Sequence, residues 1–457
     1  MTLILRSLKS PNHSEIQLLI ALIAICLVSA PLWFSSFVHE SNVVVICIDA
    51  VLAIIIISKN RFLGGFFLMF AWILDAINSY SLRYHFLSPN EFISSFKFAG
   101  ELNLRDLIST PDVMVVFFYV LTFVFTVYGF KKIKPSSKIV ILIVFLSLIF
   151  DVINGSSFAS NRDVYRVSAN IAQSPAISLL MRIGGNSSVE NIRFDSESNS
   201  YKIYKEILNW AEENQEGEIF LVIVESLGAP KSENLTNWFN KQLYGELQRK
   251  VINVPLPFSG ATTWGELKTL CLLKGSYRLL TSELSSACIP TILASKGWHT
   301  TARHGFSGNM FERVGWWPKI GFLQQFFADD FRSRGFPLCG LAFRGICDGD
   351  VIADGFAALK PKTFSYVLTL NTHLPLTPQV INPELEAICS DENLSNIACQ
   401  FIAAISDVLG KIRSAAVTHP NALIVVTGDH APPFREEEER RLFSNRLVSS
   451  WILYPKN

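Results

Sequence analysis

Three short polar stretches carry residue types that could bind a divalent metal ion. Each follows directly on a run of apolar residues: Glu225-Ser226, Asn371-Thr372-His373 and Gly428-Asp429-His430. Carboxylate and imidazole groups suit Zn²⁺ or Mn²⁺, and the sequence has no Cys-x-x-Cys pair that would indicate a structural zinc. Taken singly, a carboxylate after a strand is usually a helix cap and a lone histidine is usually a satisfied core residue. Taken together, the three stretches predict a metal site.

A fourth stretch could supply a nucleophile. The residues Ser259-Gly260-Ala261-Thr262-Thr263-Trp264-Gly265-Glu266 place a glycine turn and several hydroxyl groups before a helix-like run. A hydroxyl at a helix N-terminus lies near unpaired backbone N–H groups, which favour an anionic substrate, and metal coordination would lower its pKa further. Chemistry alone does not show which of Ser259, Thr262 and Thr263 would be the nucleophile. The alternative is that this stretch only caps the helix.

The elements that must position these residues are apolar runs typical of buried strands. The runs lie at 218–224, 364–370 and 422–427, and they are rich in β-branched residues. With predicted helices between them, they indicate an α/β domain with a largely parallel sheet. Ligands of such sheets bind beyond the carboxyl ends of the strands, where the three polar stretches lie.

The front of the chain holds an apolar excess that an α/β domain does not need. Hydrophobic residues make up 49% of the chain and charged residues 17%. Because a membrane-spanning helix needs about 20 residues, we predict a transmembrane bundle of five helices, at about 16–38, 42–58, 62–82, 112–130 and 137–154. A cleaved signal peptide is the alternative for the first helix, but a second apolar segment follows closely.

Lys and Arg residues set the predicted orientation. They cluster before the first segment, after the second and between the fourth and fifth, and cytoplasmic loops carry such an excess. We therefore predict a transmembrane domain over 1–154, a linker along the membrane face over 155–215 and an extracytoplasmic catalytic domain over 216–457. The aromatic residues of the outer loop 83–111 suit helices at the membrane interface.

The overall charge excludes one class of partner. Forty Lys and Arg residues balance 39 Asp and Glu residues, so no excess of positive charge indicates a nucleic-acid partner.

Asp49 and Asp75 lie inside apolar segments. They could act on a lipid or a proton, or they could form hydrogen bonds between helices.

Six of the eight cysteines lie in the predicted outer region, and an even number in an oxidising compartment indicates disulfides. Pairing of sequence neighbours is the simplest arrangement, while free core thiols are the alternative. The predicted pairs are Cys271 with Cys288, Cys339 with Cys347, and Cys389 with Cys399.

The motifs together resemble a known family. Five apolar segments followed by VIVES, GATTWGE, HGFSGNMFERVGWWPKIGF, NTHLPL and GDHAPPF are similar to the lipoteichoic acid synthases, periplasmic phosphoglycerol transferases and phosphoethanolamine transferases. These belong to the alkaline phosphatase and sulfatase superfamily. The resemblance covers the architecture of the whole chain, with the motifs between residues 222 and 434, and it implies an alkaline-phosphatase-like, sulfatase-like α/β domain.

The resemblance also implies roles for individual residues. Thr262 matches the nucleophile and a metal ligand, although the doubled Thr262-Thr263 departs from the family pattern. The remaining implied metal ligands are Glu225, Asp429 and His430. The implied substrate-binding residues are Glu266, His304, Arg313 and His373, of which the last three would stabilise the phosphoryl oxygens.

The implied reaction is a metal-dependent phosphotransfer in a bacterial inner membrane. The head group of a phospholipid, phosphatidylethanolamine or phosphatidylglycerol, would pass through a phosphothreonine to a hydroxyl of an envelope glycan or lipid, and phosphoethanolamine is the favoured head group. The catalytic domain would be periplasmic. Transfer to water by a phosphodiesterase and a metal-free scaffold are the alternatives. A sulfatase is disfavoured because the stretch Cys288-Ile289-Pro290-Thr291-Ile292 lacks the arginine of a sulfatase signature.

Overall fold

The computed structural model describes residues 13–38, 45–83, 95–103, 105, 110–130, 135–153, 171–177, 179–180, 192–195, 198–434 and 437–456. The chain forms two compact units. Unit 1 comprises Met1–Ile93 and Ile108–Asn186, and unit 2 comprises Ser94–Leu107 and Ser187–Asn457. A short segment between two apolar helices of unit 1 therefore belongs to the C-terminal unit.

Unit 1 contains an apolar helix at each of the five predicted places. The helices are α1 (His13–Val38), α2 (Ile48–Ile57), α3 (Arg61–Arg83), α4 (Thr110–Gly129) and α5 (Ser137–Ile153). Among the described residues, two helical stretches, His13–Val38 and Asp112–Gly129, are long and apolar enough to cross a bilayer. Two such helices are weak support, since a buried core helix or a signal sequence has the same features. The five-helix membrane bundle stays a prediction.

Two carboxylates of unit 1 hold a short chain segment. Strand β1 (Ile46–Cys47) pairs in parallel with β2 (Ala172–Gln173). Asp151 accepts hydrogen bonds from the backbone N–H groups of Ile171 and Ala172 at 2.8 and 2.9 Å. Asp49 accepts from the Ser174 hydroxyl at 2.6 Å and from the Ala176 N–H at 2.8 Å. Hydrogen bonding thus satisfies Asp49, with partners in the segment that follows β2. The two roles left open by the sequence stay predictions.

Unit 2 is built on a seven-stranded sheet in the order β10-β9-β13-β4-β14-β16-β6. The first five strands in this order run parallel, and β16 runs antiparallel to them. Strand β6 pairs antiparallel with β16 and so runs in the same direction as the first five. The strands of unit 2 are β3 (Arg193–Phe194), β4 (Glu218–Val224), β5 (Gly228–Pro230), β6 (Val251–Asn253), β7 (Leu256–Pro257), β8 (Leu273–Lys274), β9 (His299–His304), β10 (Gln324–Phe326), β11 (Leu338–Cys339), β12 (Gly345–Ile346), β13 (Thr363–Leu368), β14 (Ala422–Gly428), β15 (Phe443–Val448) and β16 (Ser450–Leu453). The three strands predicted from the sequence are β4, β13 and β14.

Helices cover both faces of this sheet. They are α6 (Ser198–Glu213), α7 (Glu233–Tyr244), α8 (Thr262–Cys271), α9 (Ser282–Ser285), α10 (Ile289–Ser295), α11 (Arg313–Trp316), α12 (Ala328–Ser333), α13 (Asp348–Ala357), α14 (Pro383–Asp391), α15 (Asn396–Thr418) and α16 (Glu437–Arg440), with 3₁₀ helices at Phe96–Glu101, Tyr277–Leu279, Met310–Glu312 and Pro318–Ile320. Alternate residues of β4 enter two different cores, with Phe220 and Val222 on one face and Ile219 and Leu221 on the other. Burial on both faces explains why β4 reads as a continuous apolar run.

The predicted disulfide pairs are confirmed. Cys271–Cys288 links the end of α8 to the start of α10, Cys339–Cys347 closes the β11–β12 hairpin, and Cys389–Cys399 joins α14 to α15. Cys26 and Cys47 in unit 1 are free thiols.

Candidate metal centre and its neighbouring side chains

The register of β4 and β14 brings two of the predicted polar stretches together. Val224 pairs with Gly428 at the carboxyl ends of these parallel strands. Glu225 follows directly after Val224, and Asp429 follows directly after Gly428. Neighbouring strands lie only about 4.8 Å apart. The two carboxylates therefore lie close together at the carboxyl ends of these strands.

Glu225, Asp429 and His430 form a buried cluster whose ligand atoms all lie within 4.8 Å of one another. The Nε2 atom of His430 is 3.2 Å from Oε1 of Glu225 and 3.4 Å from Oδ2 of Asp429. The other oxygen of Asp429 accepts hydrogen bonds from the backbone N–H groups of Ser226 and His430, both at 2.8 Å. Oδ2 is buried and has no hydrogen-bond donor among the described residues.

The electrostatics of this cluster suit a divalent cation. Burial raises the pKa of Asp429 and the adjacent Glu225 raises it further, because two buried carboxylates repel. Burial by itself would lower the pKa of His430, yet the two carboxylates raise it to about 9. A proton on His430 thus offsets one of the two carboxylate charges when no metal is bound. Two carboxylates, one imidazole nitrogen and an orphaned buried oxygen fit Zn²⁺ or Mn²⁺.

Of the three hydroxyl residues that the sequence offered as nucleophiles, Thr262 reaches this cluster. It is the first residue of α8, and its Oγ1 donates a hydrogen bond to Oε2 of Glu225 at 3.2 Å. Thr263 is buried and Ser259 is exposed. The geometry therefore favours Thr262 among the three hydroxyl residues that the sequence left equivalent.

A glycine allows α8 to approach the metal centre. A Cβ atom at Gly265 would lie 2.9 Å from both Cα and Cβ of Asp429, closer than real Cβ atoms come. Only a residue without a side chain lets the helix that carries Thr262 pack directly on the chain that carries Asp429.

The three candidate histidines share one tautomer. In each ring Nδ1 lies at hydrogen-bond distance from a backbone carbonyl: His304 from Leu368 O at 3.0 Å, His373 from Leu374 O at 2.6 Å and His430 from Ala431 O at 2.9 Å. A carbonyl only accepts, so Nδ1 carries a proton in each ring. Nε2 is then an acceptor in the neutral rings of His304 and His373, and in His430 it can become a metal ligand by giving up its second proton. Histidines that bind metals commonly show this arrangement.

His304 and His373 are held neutral by their surroundings. Burial lowers the pKa of His304 to about 3, and the nearby Arg313 guanidinium acts in the same direction. Burial also lowers the pKa of His373. Neutral rings with a protonated Nδ1 present Nε2 as a hydrogen-bond acceptor. The predicted role of these two histidines at the phosphoryl oxygens stays a prediction.

Glu266 is fully occupied by protein groups. Its Oε2 accepts from Nε and Nη2 of Arg313 at 3.0 and 2.9 Å, and its Oε1 accepts from Trp317 Nε1 at 3.0 Å and the Tyr366 hydroxyl at 3.1 Å. The residue is completely buried. With four donors on two oxygens, Glu266 serves as the buried counter-ion of Arg313, and nothing of its carboxylate is open to a substrate.

Sequence reasoning missed Ser226, Trp317 and Tyr366. Ser226 has a φ of 61°, an uncommon value for a residue with a side chain and one that clusters at functional sites. In this conformation its N–H reaches Asp429 and its hydroxyl donates to Glu225 at 3.0 Å. The position of Ser226 beside Glu225 was a signal that could have been used, whereas Trp317 and Tyr366 meet Glu266 only in the folded chain.

The fold and the site define an α/β protein with a candidate metal centre and a nucleophile at the carboxyl ends of its central strands. Comparison with protein families gives the narrower assignment. The sequence model of the sulfatase family matches residues 218–449, which is more than half of the chain. The chain belongs to the sulfatase family, and the superfamily predicted from its motifs is confirmed. No curated protein matches the sequence of this chain.

Solved structures similar to this chain include three bacterial proteins. The lipoteichoic acid synthase LtaP from Listeria monocytogenes is 12% identical, over 60% of this chain and 72% of that one, with a TM-score of 0.39. The phosphoglycerol transferase GacH from Streptococcus pyogenes, solved with sn-glycerol-1-phosphate, is 15% identical over 57% and 77%, with a TM-score of 0.38. The C-terminal periplasmic domain of EcEptC from Escherichia coli, solved with Zn, is 12% identical over 58% and 76%, with a TM-score of 0.35.

A substitution at Gly265 tests the close approach of α8. Gly265→Ala should lower the free energy of unfolding by about 1–3 kcal/mol, because the added methyl group forces α8 away from Asp429. It should also weaken Zn²⁺ binding. Denaturant unfolding and metal titration measure both effects. The matched control is Gly410→Ala on α15, where a Cβ would meet nothing within 4 Å; equal effects of the two substitutions would contradict the packing argument.

Removing a carboxylate tests the metal centre. Purified protein should bind one Zn²⁺ or Mn²⁺ ion at this cluster, and Glu225→Gln should weaken its affinity by at least about 100-fold, since loss of an outer-shell partner alone typically costs 10–100-fold. Isothermal titration with the ion measures the change. Glu233→Gln, at an exposed position of α7, is the control. An unchanged affinity of the Glu225 variant would place the metal elsewhere.

Proposed function

We propose that this protein is a membrane-bound, metal-dependent phosphotransferase. It moves the head group of a phospholipid, phosphoethanolamine or alternatively phosphoglycerol, through a phosphothreonine to a hydroxyl of an envelope glycan or lipid. The observation that carries the proposal is the hydrogen bond between the Thr262 hydroxyl and Glu225 inside the Glu225, Asp429 and His430 cluster. The apolar helices of unit 1 support a site kept close to its lipid donor.

The disulfides favour phosphoryl transfer over the sulfatase reaction within this family. A sulfatase needs a cysteine or serine that is modified into the nucleophile, and the nearest stretch to that signature begins at Cys288. Cys288 is bonded to Cys271, so its sulfur is already used. Thr262 is then the nucleophile that the metal centre can serve.

The first half of the proposed reaction forms an O–P bond between Thr262 and the lipid phosphate. The P–O bond to diacylglycerol breaks, and the departing oxygen takes up the proton that the Thr262 hydroxyl gives up. In the second half the acceptor hydroxyl forms a new O–P bond, the Thr262 O–P bond breaks, and the hydroxyl of Thr262 is regenerated. A divalent ion held by Glu225, Asp429 and His430 would supply positive charge that lowers the pKa of the Thr262 hydroxyl and offsets the charge of the phosphate.

Arg313, His304 and His373 have separate proposed roles. Arg313 is buried with its Nε edge on Glu266, and its remaining N–H groups are the donors for phosphoryl oxygens. The neutral rings of His304 and His373 can take up a proton through Nε2 and give it back, so we assign them to the proton transfers between Thr262, the departing diacylglycerol oxygen and the acceptor hydroxyl. Such groups mainly position the reactants and balance charge in phosphoryl transfer.

A covalent adduct on Thr262 tests the proposed intermediate. The full chain is incubated with vesicles of mixed phosphatidylethanolamine and phosphatidylglycerol, and tryptic peptides are analysed by mass spectrometry. The peptide that contains Thr262 should gain the mass of one head group phosphate, and Thr262→Ala should abolish the gain. Thr263→Ala is the matched control and should retain it.

The same experiment identifies the head group and the competing reaction. The added mass distinguishes phosphoethanolamine from phosphoglycerol. An adduct on Thr263, or no adduct on either threonine while diacylglycerol is released, would contradict the intermediate. Release of the free head group phosphate in the presence of acceptor lipids or glycans would point to transfer to water.

A double-substitution cycle tests whether Glu266 acts through Arg313. Glu266→Gln should reduce kcat/KM by about 100-fold, because it leaves the buried guanidinium without its counter-ion. In an Arg313→Ala background the same change should cost less than about three-fold, since the group that Glu266 holds is already absent. Head group transfer from vesicles is measured for all four proteins. Multiplicative losses would instead mean that Glu266 contacts the substrate by itself.

A further inference from the structure

The turn that leads into Arg313 is strained. Phe311 and Glu312 are consecutive residues with φ values of 54° and 56°, and neither is a glycine. Left-handed backbone is disfavoured for residues with a side chain and persists only where the surroundings hold it. Some other part of the chain must therefore stabilise this turn.

The ring of Phe98 packs against the first residue of the turn. Phe98 lies in the 3₁₀ helix Phe96–Glu101 and is 6% exposed. Its ring centroid is 5.5 Å from that of Phe311 in an edge-to-face arrangement. Phe98 also belongs to a small buried cluster with Phe306, Met310 and Leu370. The structure thus buries Phe98 within unit 2, while the predicted place of the loop at the membrane interface stays a prediction.

Lys97 pairs with the second residue of the turn. Its Nζ forms an ion pair and a hydrogen bond with Oε1 of Glu312. A backbone hydrogen bond from Asn103 N to Ala342 O, at 3.0 Å, fixes the far end of the same segment. Residues 95–103 thus hold both left-handed residues by two kinds of contact and are themselves tied down at a second point.

The turn in turn contacts Arg313. The guanidinium carbon of Arg313 lies 5.4 Å from the ring centroid of Phe311, within the range of a cation–π contact. Nη1 of Arg313 also donates to Met310 O at 3.4 Å. Glu266 holds the opposite, Nε edge of the guanidinium. The direction of the Arg313 side chain is therefore set by Glu266 on one side and by the strained turn on the other.

We propose that residues 95–103 are a positioning element for Arg313. The segment stabilises the left-handed turn at 311–312 and so fixes the guanidinium where it can meet a phosphate. This inference rests on the proposed function, in which Arg313 contacts the transferred phosphate. Because the segment lies in the chain between the apolar helices α3 and α4, the catalytic unit is discontinuous in sequence and is completed by a loop of the N-terminal region.

The experiment uses the full-length chain with Phe98→Ala, Lys97→Met and Lys97→Arg. Hydrogen–deuterium exchange of peptides covering 309–317 reports on the turn without requiring activity. Phe98→Ala and Lys97→Met should each raise exchange in these peptides about ten-fold and lower kcat about ten-fold. Lys97→Arg should leave the exchange rate and kcat as in the wild type, since it keeps the ion pair with Glu312. Phe96→Ala is the matched control, because its ring is on the same 3₁₀ helix but is 62% exposed.

A second measurement separates positioning from general stabilisation. In an Arg313→Ala background, Phe98→Ala should no longer lower kcat, whereas a merely structural role would lower the activity of both backgrounds alike. Unchanged exchange at 309–317 in the Phe98 and Lys97 variants would overturn the proposal, as would an equal loss in the Arg313→Ala background. If the wild-type chain transfers no head group, the proposed function fails, while the exchange data still decide whether residues 95–103 hold the turn.

Discussion

The structure depends on the burial of three ionisable groups where two parallel strands end side by side. Glu225 and Asp429 follow paired residues of β4 and β14, so neither carboxylate can move away from the other without breaking the sheet. Two buried carboxylates next to each other are unfavourable unless a cation is shared between them. His430 supplies that charge as a proton, and a divalent ion is the stronger alternative. Gly265, for example, lets the helix that carries Thr262 pack directly against Asp429.

A second buried charge pair lies next to the first and has a different character. The carboxylate of Glu266 accepts four hydrogen bonds, so its negative charge is satisfied by Arg313, Trp317 and Tyr366. The metal cluster, by contrast, leaves an oxygen of Asp429 without a hydrogen-bond donor among the described residues. A saturated carboxylate positions its partner, whereas an unsaturated one is available to a ligand. By this criterion Asp429 is a candidate metal ligand, whereas Glu266 is a positioning residue for Arg313.

The catalytic unit also draws on chain that is distant in sequence. Residues 95–103 belong to unit 2 although the apolar helices α3 and α4 flank them in the chain. Their contacts fall on the strained residues that precede Arg313.

The sequence by itself determined the local elements and the residue types of the site. Continuous apolar runs identified β4, β13 and β14, because strands covered on both faces need no polar residues. The residues after β4 and β14 were recognisable as candidate metal ligands. The neighbour pairing of the cysteines was also predictable. The roles of Glu266 and of residues 95–103 were not, nor was the choice of Thr262 over Thr263 predictable from chemistry alone. Those features depend on distances between residues far apart in the chain, such as Glu266 to Tyr366, or Phe98 to Phe311. Only tertiary packing sets such distances. Periodicity and residue type indicate which face of a helix or strand is buried, but they do not indicate which residues of other elements pack against that face.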